Sequence, residues 1–174
     1  MYLIYSKPKR KLKISHTIRF LTRYPGQKYS EVPSHFCVLF NNGIIMEATF
    51  SGVRIDHIHW FEKRNNILKI FVKEDLGQDN STSNYYLARY IEKYYKKKYD
   101  FKALFVYFLY IMRRYLFQKE LPDKEYGSRE RFYCSELISL IDPDVRNLTP
   151  NDQMLTLERM ENYEAVNIYE ISES

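Results

Sequence analysis

Three residues in this chain are of the types from which nucleophilic acyl chemistry is built: Cys134, His35 and Glu47. Cys134 follows Phe132-Tyr133 and precedes an apolar run that reads as a helix from Cys134 to Ile141. A thiol at a helix start meets the positive end of the dipole and unpaired backbone N–H groups, and both favour the thiolate. The same N–H groups can stabilise an oxyanion. His35 opens the strand-like run Ser34-His35-Phe36-Cys37-Val38, where an imidazole can act as general base and acid. Glu47 lies twelve positions further on, in the next strand-like run. A carboxylate there can orient the second ring nitrogen and stabilise the imidazolium.

Each residue also has an ordinary structural reading. A cysteine before a helix is commonly an inert core residue, a histidine in a strand is commonly structural, and Glu47 can be the solvent face of an edge strand. The elements that must position the three decide between these readings. Asn41-Asn42-Gly43 separates the two strands, and it allows two registers. A two-residue Asn42-Gly43 loop pairs Asn41 with Ile44, and Val38 with Glu47. A three-residue loop puts Gly43 at a left-handed bulge and pairs Cys37 with Glu47 and His35 with Thr49. Only the second places His35 and Glu47 on one face, as diagonal neighbours.

Around this hairpin, residues 2–5, 52–55 and 68–72 read as strands, and 164–171 as a last one. Ser15 is a candidate N-cap for a helix over His16 to Arg23, and Tyr24-Pro25-Gly26 a turn. Residues 75–81 read as a polar loop. Ser83 to Lys97 is helical, with Leu87, Tyr90, Ile91, Tyr94 and Tyr95 at helical spacing. A second helix over Phe101 to Phe117 is apolar almost all round, which predicts substantial burial. Residues 121–131 and 144–153 read as loops. The expected class is α+β, with strands in two groups around a helical middle and 1–174 as a single domain.

The 174-residue chain is long enough to bury a core without staples. Its net charge of +5 is unevenly placed. Residues 1–30 hold eight Lys/Arg and no acid, and the remainder carries nineteen basic against twenty-two acidic residues. A basic segment on a mildly acidic body argues against a nucleic-acid-coating domain. No export signal or transmembrane run is legible, so a cytoplasmic protein is expected. The Lys-, Asn-, Tyr- and Ile-rich composition suits an AT-rich genome, that of a virus acting in a host cell among them. Two cysteines are no disulfide framework, no zinc-finger spacing occurs, and no cofactor or metal is expected. His57 and His59 alternate around Ile58 but have no third ligand nearby, so both read as surface or core residues.

Several segments together resemble the circularly permuted NlpC-like, papain-like thiol hydrolases, and the YiiX-like branch in particular. Ser34-His35-Phe36-Cys37-Val38 looks like that family's S-H-x-G-[IV] strand. Ile45-Met46-Glu47-Ala48 resembles the following E-A strand, with Gly52-Val53 as its sequel. Lys98-Tyr99-Asp100-Phe101 is similar to x-Y-D-[FW], Phe132 to Ile138 to the Y-C-S-E-L-[IV] helix start, and Leu148 to Asp152 to [IL]-T-P-x-D. The order His, Glu, Cys is the permuted one. The resemblance implies a papain-like core in which a helix carrying the cysteine packs on an antiparallel sheet carrying the histidine. It also implies Cys134 as nucleophile, His35 as base and acid, and Glu47 as orienting group. Cys37 stands where the family usually has glycine. It reads as a small core residue; the other readings are a narrowed pocket and a reversible disulfide with Cys134.

Two functions compete at this level. One is a cysteine-dependent amidase, peptidase or acyltransferase with a small-molecule, peptide or lipid acyl substrate. The other is a non-catalytic module of the same fold that binds an anionic partner, nucleic acid or a membrane surface, through its basic segment. The sequence does not specify an oligomeric state.

Overall fold

The computed structural model describes residues 1–73, 80–117, 131–132, 134, 137, 145 and 149–167. Six strands form one sheet in the order β4-β3-β2-β1-β5-β8, every neighbour antiparallel. They are β1 (Tyr2–Pro8), β2 (His35–Leu39), β3 (Ile44–Thr49), β4 (Gly52–His57), β5 (Asn65–Lys73) and β8 (Tyr163–Val166). A short parallel pair, β6 (Lys98–Tyr99) and β7 (Arg131–Phe132), lies apart from it. Five helices among the described residues complete the chain: α1 (Lys13–Thr22), α2 (Ile58–Arg64), α3 (Asn80–Tyr94), α4 (Phe101–Phe117) and α5 (Pro150–Leu157). The architecture is α+β. No described helix is long and apolar enough to cross a membrane.

Alternation along the strands feeds two cores. Phe36 and Val38 join Tyr5, Met46, Leu87, Tyr90, Tyr94, Cys134, Leu137 and Leu157 in the larger cluster, which layers α3 and α5 against the sheet. Cys37 and Leu39 point the other way and join Ile4, Ile45, Phe61 and Ile70, which α2 covers. Burial of each large side chain contributes about 1.5–3 kcal/mol, so both faces of the sheet are fixed by packing.

The β2–β3 connection takes the three-residue form. Phe40 donates its N–H to Ile44 O at 2.8 Å, Gly43 has φ +77, and Cys37 faces Glu47. A positive φ is cheap only for glycine, which makes Gly43 the residue that sets this register. Gly52 is fixed differently: a Cβ there would meet Lys97 O at 2.6 Å, because Val53 N donates to Lys97 O and Lys96 N donates to Val53 O across that gap. This contact ties the end of α3 and the β6 strand to β4.

Several expectations are corrected. Helix α1 begins at Lys13, with Leu12 at its N-cap, and Ser15 lies inside it with its hydroxyl 2.6 Å from that of Ser34. The tertiary contact claims a side chain that local propensity assigns to a cap. Asn80 and Ser81 belong to α3, which ends at Tyr94, and Lys96 at φ 63 takes the chain out of it. Residues 150–157 form a helix, not a loop: Thr149 accepts from Asp152 N, and Pro150 occupies the first turn. The run after Asp56 forms α2, with His57 as its N-cap acceptor for His59 N at 3.3 Å. Helix α4 spans the expected residues but is not largely buried. Among its described side chains, Phe105, Leu109, Leu116 and Phe117 are exposed and Ile111 is buried, and the helix packs beside α1. The expected loop at 121–130 and most of the expected helix 134–141 lie outside the described residues, as do 168–171 of the last strand.

Candidate active site

His35 is the first residue of β2, so its ring stands at the end of the sheet. The Ser15–Ser34 hydroxyl pair pins α1 beside it, and Ser34 N donates to Ser6 O at 3.0 Å. Phe61 of α2 stacks on the ring at a centroid distance of 6.2 Å. His35 Nε2 lies 2.7 Å from Glu47 Oε2. The register set by Gly43 produces this diagonal contact. With Nε2 engaged, Nδ1 is the nitrogen left for a second partner, and the ring is coupled electrostatically to Cys134, which lines the same cavity. Cys134 sits in a turn two residues after β7, its carbonyl accepting from Leu137 N at 3.3 Å.

Glu47 is held by more than His35. Arg54, its cross-strand partner in β4, donates from Nε at 2.9 Å and from Nη2 at 2.7 Å to Oε1. Arg64, at the end of α2, donates to the same oxygen at 3.3 Å and also pairs with Asp56. The two-pronged arginine contact fixes the carboxylate plane and leaves Oε2 aimed at the imidazole.

The charges follow from these contacts. Burial alone works against a charged His35. The hydrogen bonds to Cys134 and Glu47, and the charges on both, outweigh it and raise the imidazole from 6.5 to about 10. Burial likewise works against an ionised Glu47, but the His35 hydrogen bond and charge, with Arg54, hold it down at about 2. At neutral pH the pair is therefore imidazolium and carboxylate. Cys37 contrasts with this. Burial, then the charges of Glu47 and Cys134, push its thiol well above the usual range. Both thiols are free, and their side chains pack in different clusters, Cys37 in the smaller and Cys134 in the larger.

His35, Glu47 and Cys134 all line one cavity of about 500 Å³. Its apolar wall includes Leu12, Ile14 and Ile18 of the α1 region, together with Phe50 and Tyr99. The structure thus brings all three sequence-selected residues into one place. His57 and His59 are elsewhere, on the outer end of β4 and α2, and no group of three metal-binding side chains occurs among the described residues. Sequence reasoning missed Arg54 and Arg64. A tight turn at residues 50–51 makes Glu47 and Arg54 cross-strand partners, so Arg54 had a local signal. Arg64 had none, since its approach depends on how α2 packs. The basic segment is also more than a solvated tail: Arg19 is buried and donates to Val32 O at 2.9 Å, Lys7 donates to Ser30 O at 2.6 Å, and Lys9 and Arg10 line the cavity.

Comparisons with protein families, with curated proteins and with solved structures found no match to this chain.

Proposed function

We propose that the protein is a cysteine-dependent hydrolase or acyltransferase with a permuted papain-like core, acting on an amide or ester through an acyl-enzyme on Cys134. The observation that carries this reading is the convergence of the hydrogen-bonded Glu47–His35 pair and Cys134 on one cavity of substrate size. An imidazole in the same cavity can take the thiol proton and later return it to a leaving group.

The Cys134 sulfur attacks the carbonyl carbon, and a C–S bond forms as the C=O π electrons move to oxygen. The tetrahedral species collapses, the C–N or C–O bond breaks, and the leaving amine or alcohol takes its proton from His35. Water, or an acceptor hydroxyl or amine, then attacks the thioester. His35 takes the proton released, the C–S bond breaks, and the free Cys134 side chain is restored. Glu47 keeps the ring in one orientation and stabilises its positive form throughout. Arg54 and Arg64 keep Glu47 from swinging away or accepting the proton itself.

Thiol-directed acyl probes, followed by a screen of amide and ester substrates with Cys134→Ala as control, test the proposal. An acyl adduct on Cys134 and turnover lost in Cys134→Ala are the expected results. Adducts on Cys37 alone, or turnover that survives Cys134→Ala, would remove it.

A further inference from the structure

The cavity that holds Cys134 is charged in one sense. Among its described lining residues, five are lysine or arginine (Lys9, Arg10, Arg54, Lys63 and Arg64), and the one carboxylate, Glu47, is already paired with His35. Two of the five are already committed: Arg54 to Glu47, and Arg64 to Glu47 and Asp56. Lys9, Arg10 and Lys63 have no carboxylate partner among the described residues, and all three are exposed. They are grouped. Lys9 N donates to Arg64 O at 2.8 Å, which joins the segment after β1 to the end of α2 where Lys63 lies. Lys63 is steered by Trp60, its ammonium 4.3 Å from the ring centroid. The lining also includes an apolar set, Leu12, Ile14, Ile18 and Phe50.

A concave site with low-dielectric walls and uncompensated cations focuses the field and concentrates anions. Leaving three cations unneutralised at one mouth costs stability through mutual repulsion. A ligand that supplies the missing charge offsets that cost.

We propose that Lys9, Arg10 and Lys63 form an anion subsite of this cleft, so that the acyl substrate carries a phosphate or carboxylate beside its scissile carbonyl. The inference rests on the reading of Cys134 as the nucleophile, and it narrows that reading to anionic substrates. The anion lies on the lysine and arginine side, and the less polar part of the substrate lies against α1 and Phe50.

Two alkylating reagents of nearly equal size separate the two claims. Neutral iodoacetamide reports the reactivity of Cys134, and anionic iodoacetate reports that reactivity together with attraction to the subsite. The iodoacetate-to-iodoacetamide rate ratio at Cys134, compared with the same ratio for free cysteine, is expected to be raised about tenfold at low salt and to fall as ionic strength rises. In Lys9→Gln/Arg10→Gln/Lys63→Gln the ratio is expected to return several-fold toward that of free cysteine. Protection of the wild-type protein against iodoacetate needs no variant: inorganic phosphate acting below acetate concentrations assigns a phosphate group, and the reverse order assigns a carboxylate. Rapid iodoacetamide labelling with a ratio equal to that of free cysteine, unaffected by either anion, would overturn the subsite and leave the nucleophile standing. Slow labelling by iodoacetamide itself would overturn both.

Discussion

Among the described residues, the carboxylates of Glu47 and Asp152 are both buried against arginine, and they differ in what else they touch. Glu47 accepts from Arg54 and Arg64 on one oxygen and meets an imidazole on the other, at the wall of an open cavity. Asp152 accepts from Arg114 at 3.1 Å and Tyr24 on one oxygen, and from the Thr149 hydroxyl at 2.7 Å on the other. It lies in the first turn of α5. Its neighbour Asn151 donates to Thr22 O at 2.7 Å, so the cluster clasps the 22–27 turn onto that helix. Both clusters satisfy a buried charge with hydrogen bonds. Of the two, only Glu47 meets an imidazole and lines a cavity that also holds a thiol and has space for a substrate. Arginine beside a buried carboxylate therefore does not distinguish a reactive site from a structural clasp; the imidazole, the sulfur and the cavity do.

The comparison breaks most sharply at the reacting groups. Cys134→Ala and His35→Ala are each expected to lower acyl turnover by about 10⁴-fold or more, as when one member of a catalytic triad is lost. Their melting temperatures should change little beside that loss. Kinetics on an identified substrate, with thermal melts alongside, check this. Asp152→Ala should do the opposite. It leaves Arg114, Tyr24 and the Thr149 hydroxyl without their acceptor, at a cost of about 3 kcal/mol in denaturant unfolding. Where that variant remains folded, the alkylation rate of Cys134 should be unchanged.

Glu47→Gln sharpens the contrast because it touches both properties. Removing the charge should lower acyl turnover by about 10- to 100-fold, a positioning effect smaller than loss of the base. It should also alter the pH profile of stability. Glu47 is depressed from 4.5 to about 2, so its contribution is present above about pH 4.5 and is lost as pH falls toward 2. His35 is raised from 6.5 to about 10, so its contribution is full below about pH 6.5 and is lost as pH rises through 10. The stability difference between wild type and Glu47→Gln is expected to be largest between those limits and to shrink on either side. A difference that stays flat from pH 3 to pH 10 would show that the pair carries no such coupling.

Much of this site was legible because its geometry is local. Gly43 resolves the β2–β3 register, and the register alone puts His35 and Glu47 on one face. The signal for α5 was also present and was misread: threonine, proline and aspartate at 149, 150 and 152 make a helix start that resembles a loop by composition. The burial of α4 was not legible. Apolar content shows that a helix can be buried, and only tertiary placement shows which side is. Arg64 belongs with α4 in this respect, since α2 must first pack against the sheet before the guanidinium reaches Glu47. A smaller test addresses the register itself. Gly43→Ala imposes a side chain at φ +77 and brings a Cβ to 2.9 Å from His57 Nε2, and should cost about 1 kcal/mol by thermal or denaturant unfolding.

The most direct test compares the two thiols. Peptide-resolved alkylation of the folded protein by iodoacetamide at pH 7 gives the rates at Cys134 and Cys37 side by side. The account predicts rapid labelling of Cys134 that is strongly slowed in His35→Ala, and slow labelling of buried Cys37 in both proteins. Equal, slow labelling of the two thiols, or a Cys134 rate indifferent to His35, would contradict it.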